Sequence, residues 1–287
     1  MMKHLVSREK KLSLKQPLVM GILNVTPDSF SDGGQYKNVD EAVERGLEMV
    51  AQGADILDIG GESTGPGSHD VSLDEELSRV MPVVSALRKR TDAWISVDTS
   101  KAEVARQVLD AGVDMINDVT AFRADTQMLS VLAGYDVPVI MMYSKDATPR
   151  TTRENTQYDD VVASIRKFFD ERIAVAEKAG VRRERLLLDP GMGAFVSADP
   201  KYSLQILSRL EEFLSYGQAL VVGPSRKSFI GQVLDLPLDQ RLEGTLGACA
   251  VAVMHGASMV RVHDVVQVRR LVDMVWAVKN VDNVPGF

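Results

Sequence analysis

The sequence predicts one (β/α)8 barrel, and three observations support this fold class. Short apolar segments alternate strictly with segments whose apolar residues recur every three or four positions. Eight such pairs fit into a chain of 287 residues, and a closed barrel typically needs roughly 250. No change in composition marks a second domain. We therefore assign residues 1–16 to an N-terminal extension of uncertain structure and residues 17–287 to the barrel domain.

The predicted strands are short and mainly apolar, as expected for strands that are buried in a parallel sheet. In chain order they span residues 18–24, 55–59, 94–98, 115–117, 137–142, 186–189, 219–222 and 259–262.

A helix is predicted after each strand from its three-and-four spacing of apolar residues. These helices span residues 39–52, 72–87, 101–110, 126–133, 159–179, 202–215, 246–255 and 265–279. Ser72 with Glu75, and Ser100 with Glu103, have the spacing of capping boxes at two helix starts. The polar stretch 144–157 is expected to be mobile.

The composition is typical of a soluble globular protein and disfavours two classes of partner. The chain has 33 Lys and Arg against 40 Asp and Glu, a net charge of −7, which argues against a nucleic-acid surface but not against a small anionic substrate. The N-terminus lacks an apolar signal region, and no apolar run is long enough to span a membrane. The single Cys249 lies in an apolar run and is expected to be a buried thiol. We expect a cytoplasmic location.

Polar residues follow almost every predicted strand at its carboxyl end, the end at which barrel enzymes carry their active sites. Four of them are expected to converge on one ligand: Asp98, Asn117, Asp189 and Lys227. A flat polar heterocycle would suit this ring, because a carboxylate accepts two parallel N–H bonds from an amidine-like edge.

A second set of residues is cationic or rich in hydrogen-bond donors, and it suits a phosphate or diphosphate. Its members are Ser63, Thr64, Arg226, Arg261 and His263. Arg261 and His263 alternate along a strand and therefore point to the same side. Asn24, a hard oxygen donor at a strand end, could join a Mg²⁺ shell made otherwise of water and phosphate oxygens. No Cys/His cluster in the sequence suggests zinc.

The loop after the first strand is longer and more polar than a connection needs, which indicates a functional role. It runs from Asn24 through Thr26, Pro27 and Phe30 to Gly34.

Seven motifs in order resemble the dihydropteroate synthase family from about residue 18 to the end of the chain. They are NVTPDSFSDGG at 24–34, DIGGEST at 58–64, SVDT at 96–99, IND at 116–118, LDPG at 188–191, SRKSF at 225–229 and RVHDV at 261–265. The resemblance implies condensation of 4-aminobenzoate with a 6-hydroxymethyl-7,8-dihydropterin diphosphate, giving 7,8-dihydropteroate and diphosphate in folate biosynthesis. It also implies a homodimer and a target of sulfonamides, which mimic 4-aminobenzoate.

The resemblance also implies roles for individual residues. Asp98, Asn117, Asp189 and Lys227 would hold the pterin, and Asn24 would contact Mg²⁺ and diphosphate. Ser63, Thr64, Arg261 and His263 would bind the diphosphate and, for the last two, ease its departure. Thr26, Pro27, Phe30, Arg226 and Ser228 would border the aminobenzoate. Asp98, Asp189, Lys227, Arg261 and His263 are the expected catalytic residues.

Three positions depart from the family pattern, and the first of them removes an anchor for the aminobenzoate or the diphosphate. Gly65 stands where the family commonly has Arg, and Tyr143 where it commonly has His. After Asp189-Pro-Gly the aromatic residue is shifted by one, with Ala194 before Phe195. We therefore expect a standard pterin half and an altered aminobenzoate half, with altered discrimination against sulfonamides.

Two other functions remain open from the sequence. A pterin-binding methyltransferase of the methyltetrahydrofolate type shares the barrel and the pterin ring, but it would not need the first loop or the Arg261 and His263 pair. A pterin-binding module without catalysis is the second alternative, favoured only by Gly65 and Tyr143.

Overall fold

The structure, a computed structural model, describes residues 2–26 and 35–283. Within these ranges the backbone forms ten strands and nine α-helices. Eight of the strands form one parallel sheet that curls into a barrel, so the predicted fold class is confirmed.

The barrel strands are linked in one continuous ladder. They are β3 (Leu18–Asn24), β4 (Ile56–Gly60), β5 (Trp94–Asp98), β6 (Met115–Asp118), β7 (Val139–Met142), β8 (Leu186–Asp189), β9 (Val221–Val222) and β10 (Met259–Val262). Their order in the sheet is β8-β7-β6-β5-β4-β3-β10-β9. At the remaining seam the Leu188 N–H donates to the Ala219 carbonyl at 3.0 Å, and Leu188 pairs with Leu220, which closes the barrel.

The helices cover the outside of the sheet. They are α1 (Gln35–Ala51), α2 (Leu73–Arg88), α3 (Ala102–Asp110), α4 (Met128–Ala133), α5 (Val161–Lys178), α6 (Pro200–Ser208), α7 (Ser228–Leu234), α8 (Leu242–Met254) and α9 (Val265–Lys279). One apolar core lies between them and the sheet, and it includes Cys249, which is fully buried as expected. No described helix combines the length and apolarity needed to cross a membrane.

Two predicted helix starts have different outcomes. Ser72 caps α2, where its hydroxyl accepts the Glu75 N–H at 3.2 Å. The capping box predicted for Ser100 and Glu103 is wrong, because α3 begins at Ala102 after Lys101 and no side chain caps it. The Ala102 N–H, which has no partner within the helix, instead donates to the Asp125 carboxylate at 2.9 Å.

Two helical segments differ in extent from the sequence prediction. The sixth helix ends at Ser208 and is followed by 3-10 turns over Leu210–Tyr216, up to Gly217 with φ 79°. A short helix, α7, which the sequence did not predict, lies between β9 and α8, and α8 begins at Leu242 rather than residue 246.

The N-terminal extension forms a β-hairpin from β1 (His4–Ser7) and β2 (Lys10–Ser13). Its buried Leu5 packs against the residues that fill the barrel interior, such as Met20 and Trp94. The Met2 N–H donates to the Gly217 carbonyl and the Arg8 N–H to the Asp136 carbonyl. Both acceptors precede barrel strands, so the hairpin covers the amino-terminal end of the barrel.

The barrel interior changes from apolar to polar toward the carboxyl ends of its strands. Ile56 and Trp94, opposite each other in register, belong to the apolar interior. Two residues further along the same strands, Asp58 pairs with Ser96, and both are fully buried. The buried polar residues therefore lie near the carboxyl end of the barrel, the end that the hairpin does not cover.

Candidate active site

A cavity of about 760 Å³ opens at the carboxyl ends of the barrel strands, where active sites of such barrels are found. Predicted site residues from five strand ends line it: Asn24, Thr26, Ser63, Thr64, Asp98, Arg226, Lys227, Ser228, Arg261 and His263. Asn117, the penultimate residue of β6, and Asp189, the last residue of β8, are almost completely buried and do not line the cavity. Pro27 and Phe30 lie outside the described residues.

Strand register brings several of these residues into one layer. Asn24 of β3 pairs with Gly60 of β4, Gly60 with Asp98 of β5, and Asp98 with Asn117 of β6. Gly60 leaves the space between its neighbours open, because an added Cβ would meet Asn24 Oδ1 and Asp98 Cβ, each at 3.8 Å. Strand pairing therefore places two members of the predicted ring, Asp98 and Asn117, side by side.

Arg261 is the centre of a buried ionic network. Its Nε donates to Asp58 Oδ2 at 2.6 Å and its Nη2 to Asp98 Oδ2 at 2.8 Å. Asn117 Nδ2 donates to the same Asp58 oxygen at 3.1 Å. Asp58 thus ties the residue expected to face diphosphate to a residue expected to hold the pterin. Sequence reasoning gave Asp58 no role, although it precedes Gly60 by two positions and so faces the same side of β4.

Burial sets the protonation balance of the ring. It raises the pKa of Asp98, whereas the Arg261 guanidinium opposes this rise and favours the ionised carboxylate. Burial also raises the pKa of Asp189, whereas the nearby Lys227 ammonium and the Gly191 N–H lower it. Burial lowers the pKa of Lys227 to about 8, although Asp189 favours its charged form. Burying any one of these charged groups alone would cost free energy, and neighbours of opposite charge stabilise each of them.

A tight turn after β8 orients Asp189. The Gly191 N–H donates to Asp189 Oδ1 at 2.8 Å, and Gly191 has a φ of 69°, in the left-handed region. An added Cβ at Gly191 would lie 2.3 Å from the Tyr143 carbonyl oxygen, so only glycine fits there. Phe195, beyond this turn, lies under Lys227, with the ammonium 5.2 Å from the ring centroid.

The loops after β9 and β10 are joined by two side-chain contacts. Ser225 Oγ lies 2.9 Å from His263 Nδ1 and accepts the His263 backbone N–H at 3.2 Å. Burial and, to a smaller extent, the nearby Arg261 together lower the pKa of His263 to about 4, so this imidazole is neutral at pH 7. Arg226 donates two hydrogen bonds to the Asp264 carboxylate. Asp264 is therefore a structural partner of Arg226.

Two of the three departures from the family pattern have distinct structural surroundings. Gly65 lines the cavity, and an added Cβ would meet only Ser63 Oγ, at 3.8 Å. Tyr143 is buried and does not line the cavity; its hydroxyl lies 3.0 Å from that of Tyr158, which donates to the Val196 carbonyl. Tyr143 therefore supports the turn beyond β8 instead of presenting a side chain to a ligand.

The segment between β7 and α5 is fixed by hydrogen bonds on both sides of the cavity. The Thr151 N–H donates to the Thr64 carbonyl at 3.2 Å, and Thr151 Oγ1 donates to the Ala194 carbonyl at 2.9 Å. Lys145 N–H donates to the Phe195 carbonyl at 2.8 Å. These contacts connect the loops after β4 and β8, so the stretch expected to be mobile has defined anchors.

Among the described residues, no group of three or more His, Cys, Asp and Glu side chains could hold a metal ion. The oxygen of Asn24 is the one predicted metal ligand, and it lies at the strand end beside Gly60. A single hard donor suits an ion whose remaining ligands come from substrate and water, as Mg²⁺ prefers.

Comparison with known proteins agrees with this site. Residues 20–263 match a family described as "Pterin binding enzyme". The chain is 45% identical over 278 residues to the dihydropteroate synthase of Escherichia coli strain K12, covering 96% of this chain and 97% of that protein. It belongs to the dihydropteroate synthase family. The dihydropteroate synthase of Bacillus subtilis strain 168 is 42% identical over 275 residues, covering 96% of this chain and 93% of that protein.

Solved structures of dihydropteroate synthases have the same fold. The Yersinia pestis enzyme in complex with a sulfonamide drug superposes with a TM-score of 0.90 at 42% identity, covering 96% of this chain and 99% of that one. The Xanthomonas albilineans enzyme in complex with 7,8-dihydropteroate has a TM-score of 0.86 at 39% identity, covering 98% of this chain and all of that one. The methyltransferase alternative is not favoured by these relatives.

Proposed function

We propose that the protein is a dihydropteroate synthase, which condenses (7,8-dihydropterin-6-yl)methyl diphosphate with 4-aminobenzoate to give 7,8-dihydropteroate and diphosphate. The observation that carries the proposal is one cavity that combines Asp98 and Lys227 of the buried ring with a cationic and donor-rich border. Such a cavity can take a substrate that is a flat donor-rich heterocycle at one end and a diphosphate at the other. Membership of the family along almost the whole chain supports the same reaction.

The pterin is expected to bind against the buried ring. An ionised Asp58 carboxylate has hydrogen-bond acceptors and no donor, so the Asn117 amide directs an N–H to it. The Asn117 carbonyl oxygen is then left to accept an N–H of the ligand. Asp98 and Asp189 supply further acceptors, and Lys227 supplies a donor beside them. This pattern matches the amide and amidine N–H groups of a pterin.

Diphosphate departure is expected to be eased by Arg261 and His263. Breaking the bond between the methylene carbon and the diphosphate oxygen leaves negative charge on the oxygens, and fixed donors stabilise that charge. Arg261 is held in place by Asp58 and Asp98. If Ser225 donates to His263 Nδ1, the neutral imidazole keeps its Nε2–H as a further donor.

Mg²⁺ is the expected cofactor, with Asn24 as the residue that would hold it together with the diphosphate. The ion would supply positive charge at the leaving oxygens. The positive charge left on the methylene is shared by the pterin ring, and the carboxylates of Asp98 and Asp189 favour it. The amine of 4-aminobenzoate then attacks this carbon; we assign no covalent enzyme intermediate and no general base.

The aminobenzoate is expected on the outer side of the pterin, bordered by Thr26, Pro27, Phe30, Arg226 and Ser228. Sulfonamides would compete for the same position, with a discrimination altered by Gly65 and by the shifted Phe195. An ordinary sulfonamide inhibition constant together with ordinary 4-aminobenzoate affinity would contradict this last point.

We also propose a homodimer that functions in the cytoplasm. Exposed apolar side chains lie on the adjacent helices α8 and α9, among them Val251, Met254, Met274 and Val278. Such exposed apolar surface is frequent at subunit contacts. Sedimentation equilibrium would detect the dimer, and a monomer at micromolar concentration would contradict it.

Diphosphate release tests the proposed reaction directly. The protein is mixed with the pterin diphosphate, 4-aminobenzoate and Mg²⁺, and diphosphate and 7,8-dihydropteroate are measured. Equimolar formation of both products is expected. A folded protein that binds the pterin diphosphate but releases no diphosphate would instead support the non-catalytic binding module.

A further inference from the structure

The segment 143–160, between β7 and α5, carries three cationic side chains near the cavity, and two of them are paired. Lys145 contacts Asp146, and Arg150 donates to Glu62 Oε1 at 2.9 Å and also contacts Asp70. Arg153 has no ion-pair or hydrogen-bond partner among the residues that the structure describes, yet it lines the cavity. An uncompensated guanidinium at a cavity border is available to a bound anion.

The backbone around Arg153 is fixed on both sides. Thr151 is almost completely buried and bonds to the Thr64 and Ala194 carbonyls, as described above. On the other side, the Glu154 carbonyl accepts the Ala198 N–H at 3.1 Å. The backbone of Arg153 is thus fixed between two anchored residues, beside the cavity that its exposed side chain lines.

The loop after β4 has room for a cationic side chain at position 65, where the sequence has glycine. Gly65 lines the same cavity, and an added Cβ there would make only an ordinary contact with Ser63 Oγ. Gly65 is not among the glycines with a positive φ, so its backbone also accepts other residues. A positive charge can therefore be moved from Arg153 to position 65 by substitution.

We propose that Arg153 binds an anionic oxygen group of a substrate in the cavity and so determines substrate specificity. This inference rests on the proposed function, which supplies two anions: the carboxylate of 4-aminobenzoate and the diphosphate. A planar guanidinium can bind either of them through two parallel N–H···O bonds.

The test compares the wild-type protein with the Arg153→Gln variant on charged and uncharged substrates. If the carboxylate is bound, the ratio of kcat/KM for 4-aminobenzoate to that for 4-aminobenzamide falls roughly tenfold, the order expected for one charge-assisted hydrogen bond. If the diphosphate is bound, this ratio is unchanged and the calorimetric Kd for inorganic diphosphate with Mg²⁺ rises roughly tenfold. The exposed Arg182, paired with Asp136, provides the control variant Arg182→Gln.

A second variant separates the charge of Arg153 from any structural role. In the double variant Gly65→Arg/Arg153→Gln, the affected ratio or Kd should recover at least in part. Equal kcat/KM losses for 4-aminobenzoate and 4-aminobenzamide with an unchanged Kd for diphosphate would overturn the inference, as would no change relative to Arg182→Gln. The Kd for inorganic diphosphate can be measured without turnover, and product formation by the wild-type protein is measured separately. Failure of the proposed function can therefore be distinguished from failure of this inference.

Discussion

The carboxylate of Asp58 accepts the Nε–H of Arg261 at 2.6 Å, and the two side chains come from strands 203 positions apart in the sequence. The same oxygen accepts the amide of Asn117, while Asp58 Oδ1 has no partner among the described atoms. One fully buried carboxylate therefore fixes both a guanidinium and an amide of the candidate site.

Asp58→Asn should weaken pterin binding more than aminobenzoate binding. The asparagine oxygen could still accept from Asn117 and Arg261, but the substitution removes the negative charge that holds the Arg261 guanidinium and places an amide NH2 where the buried Oδ1 has no partner. Both changes should disturb the positions of Asn117 and Arg261. We expect the Kd for the pterin diphosphate to rise at least tenfold, or about 1.4 kcal/mol, while the KM for 4-aminobenzoate changes little.

Ser96→Ala is the matched control, since the Ser96 hydroxyl is buried beside Asp58 and has no partner among the described residues. It should leave both constants close to those of the wild-type protein. Calorimetry and thermal unfolding of both variants check the prediction, and a pterin Kd for Asp58→Asn equal to that of the wild type would refute it.

Gly191→Ala should destabilise the fold and misplace Asp189. The added Cβ would lie 2.3 Å from the Tyr143 carbonyl oxygen and would also adopt a left-handed φ. Gly67→Ala is a control for the left-handed φ alone, because Gly67 has a φ of 88° and an added Cβ would have no neighbour within 4 Å.

In urea unfolding we expect a loss of about 1 kcal/mol for Gly67→Ala and about 3 kcal/mol or more for Gly191→Ala. Gly191→Ala should also reduce pterin affinity, because the Gly191 N–H orients Asp189. Equal losses of stability in the two variants would show that the turn relaxes around the added methyl group.

His263 should make the fold less stable in mild acid. Its pKa is lowered to about 4 from an ordinary 6.5, so the unfolded chain binds this proton more readily than the folded chain. The neutral imidazole therefore contributes stability that is complete above pH 6.5 and is lost as the pH falls toward 4. The loss is on the order of 3 kcal/mol.

The difference in unfolding free energy between wild-type protein and His263→Gln isolates this residue. The raised pKa of Asp118, about 6, acts in the opposite direction but is present in both proteins and cancels. The difference should be constant above pH 6.5 and should shrink between pH 6.5 and 4. Parallel curves across this range would show that His263 is not buried in its neutral form.

Phe30→Ala should raise the KM for 4-aminobenzoate and leave pterin binding nearly intact. Phe30 lies outside the described residues, and the prediction rests on its place in the long polar loop after β3. Steady-state kinetics with each substrate varied in turn, together with a pterin binding titration, provide the measurement. An equal loss of pterin affinity would mean that the loop is structural.

Sequence reasoning predicted the parts of the molecule that depend on local pattern. The apolar runs gave β8 and β10 their observed bounds, and the abrupt change to polar residues located Asp98 and Asn117 at the carboxyl ends. The helix α7 was missed because its seven residues are too few to show a helical period. The predicted cap at Ser100 failed because a distant residue, Asp125, satisfies the first helical N–H.

The contacts that complete the site depend on tertiary structure and have no local signal. Arg261 meets Asp58 only once the barrel brings β10 and β4 to the same interior. Arg153 reaches the cavity only because Thr151 and Glu154 are bound to other loops. The sequence showed that Gly65 lacks a side chain, but it could not show which residue from another loop would face the same space.

The apolar layer that fills the barrel interior has a kinetic consequence, because it leaves the candidate site accessible from the carboxyl end alone. Side chains such as Met20, Ile56 and Trp94 fill the other end, and Leu5 of the hairpin packs against them, so substrates enter and products leave through the same opening. The pterin must reach the buried ring, whereas 4-aminobenzoate is expected to bind nearer the opening and would obstruct the way in. The reaction should therefore follow a compulsory order, with the pterin diphosphate binding first and 4-aminobenzoate second.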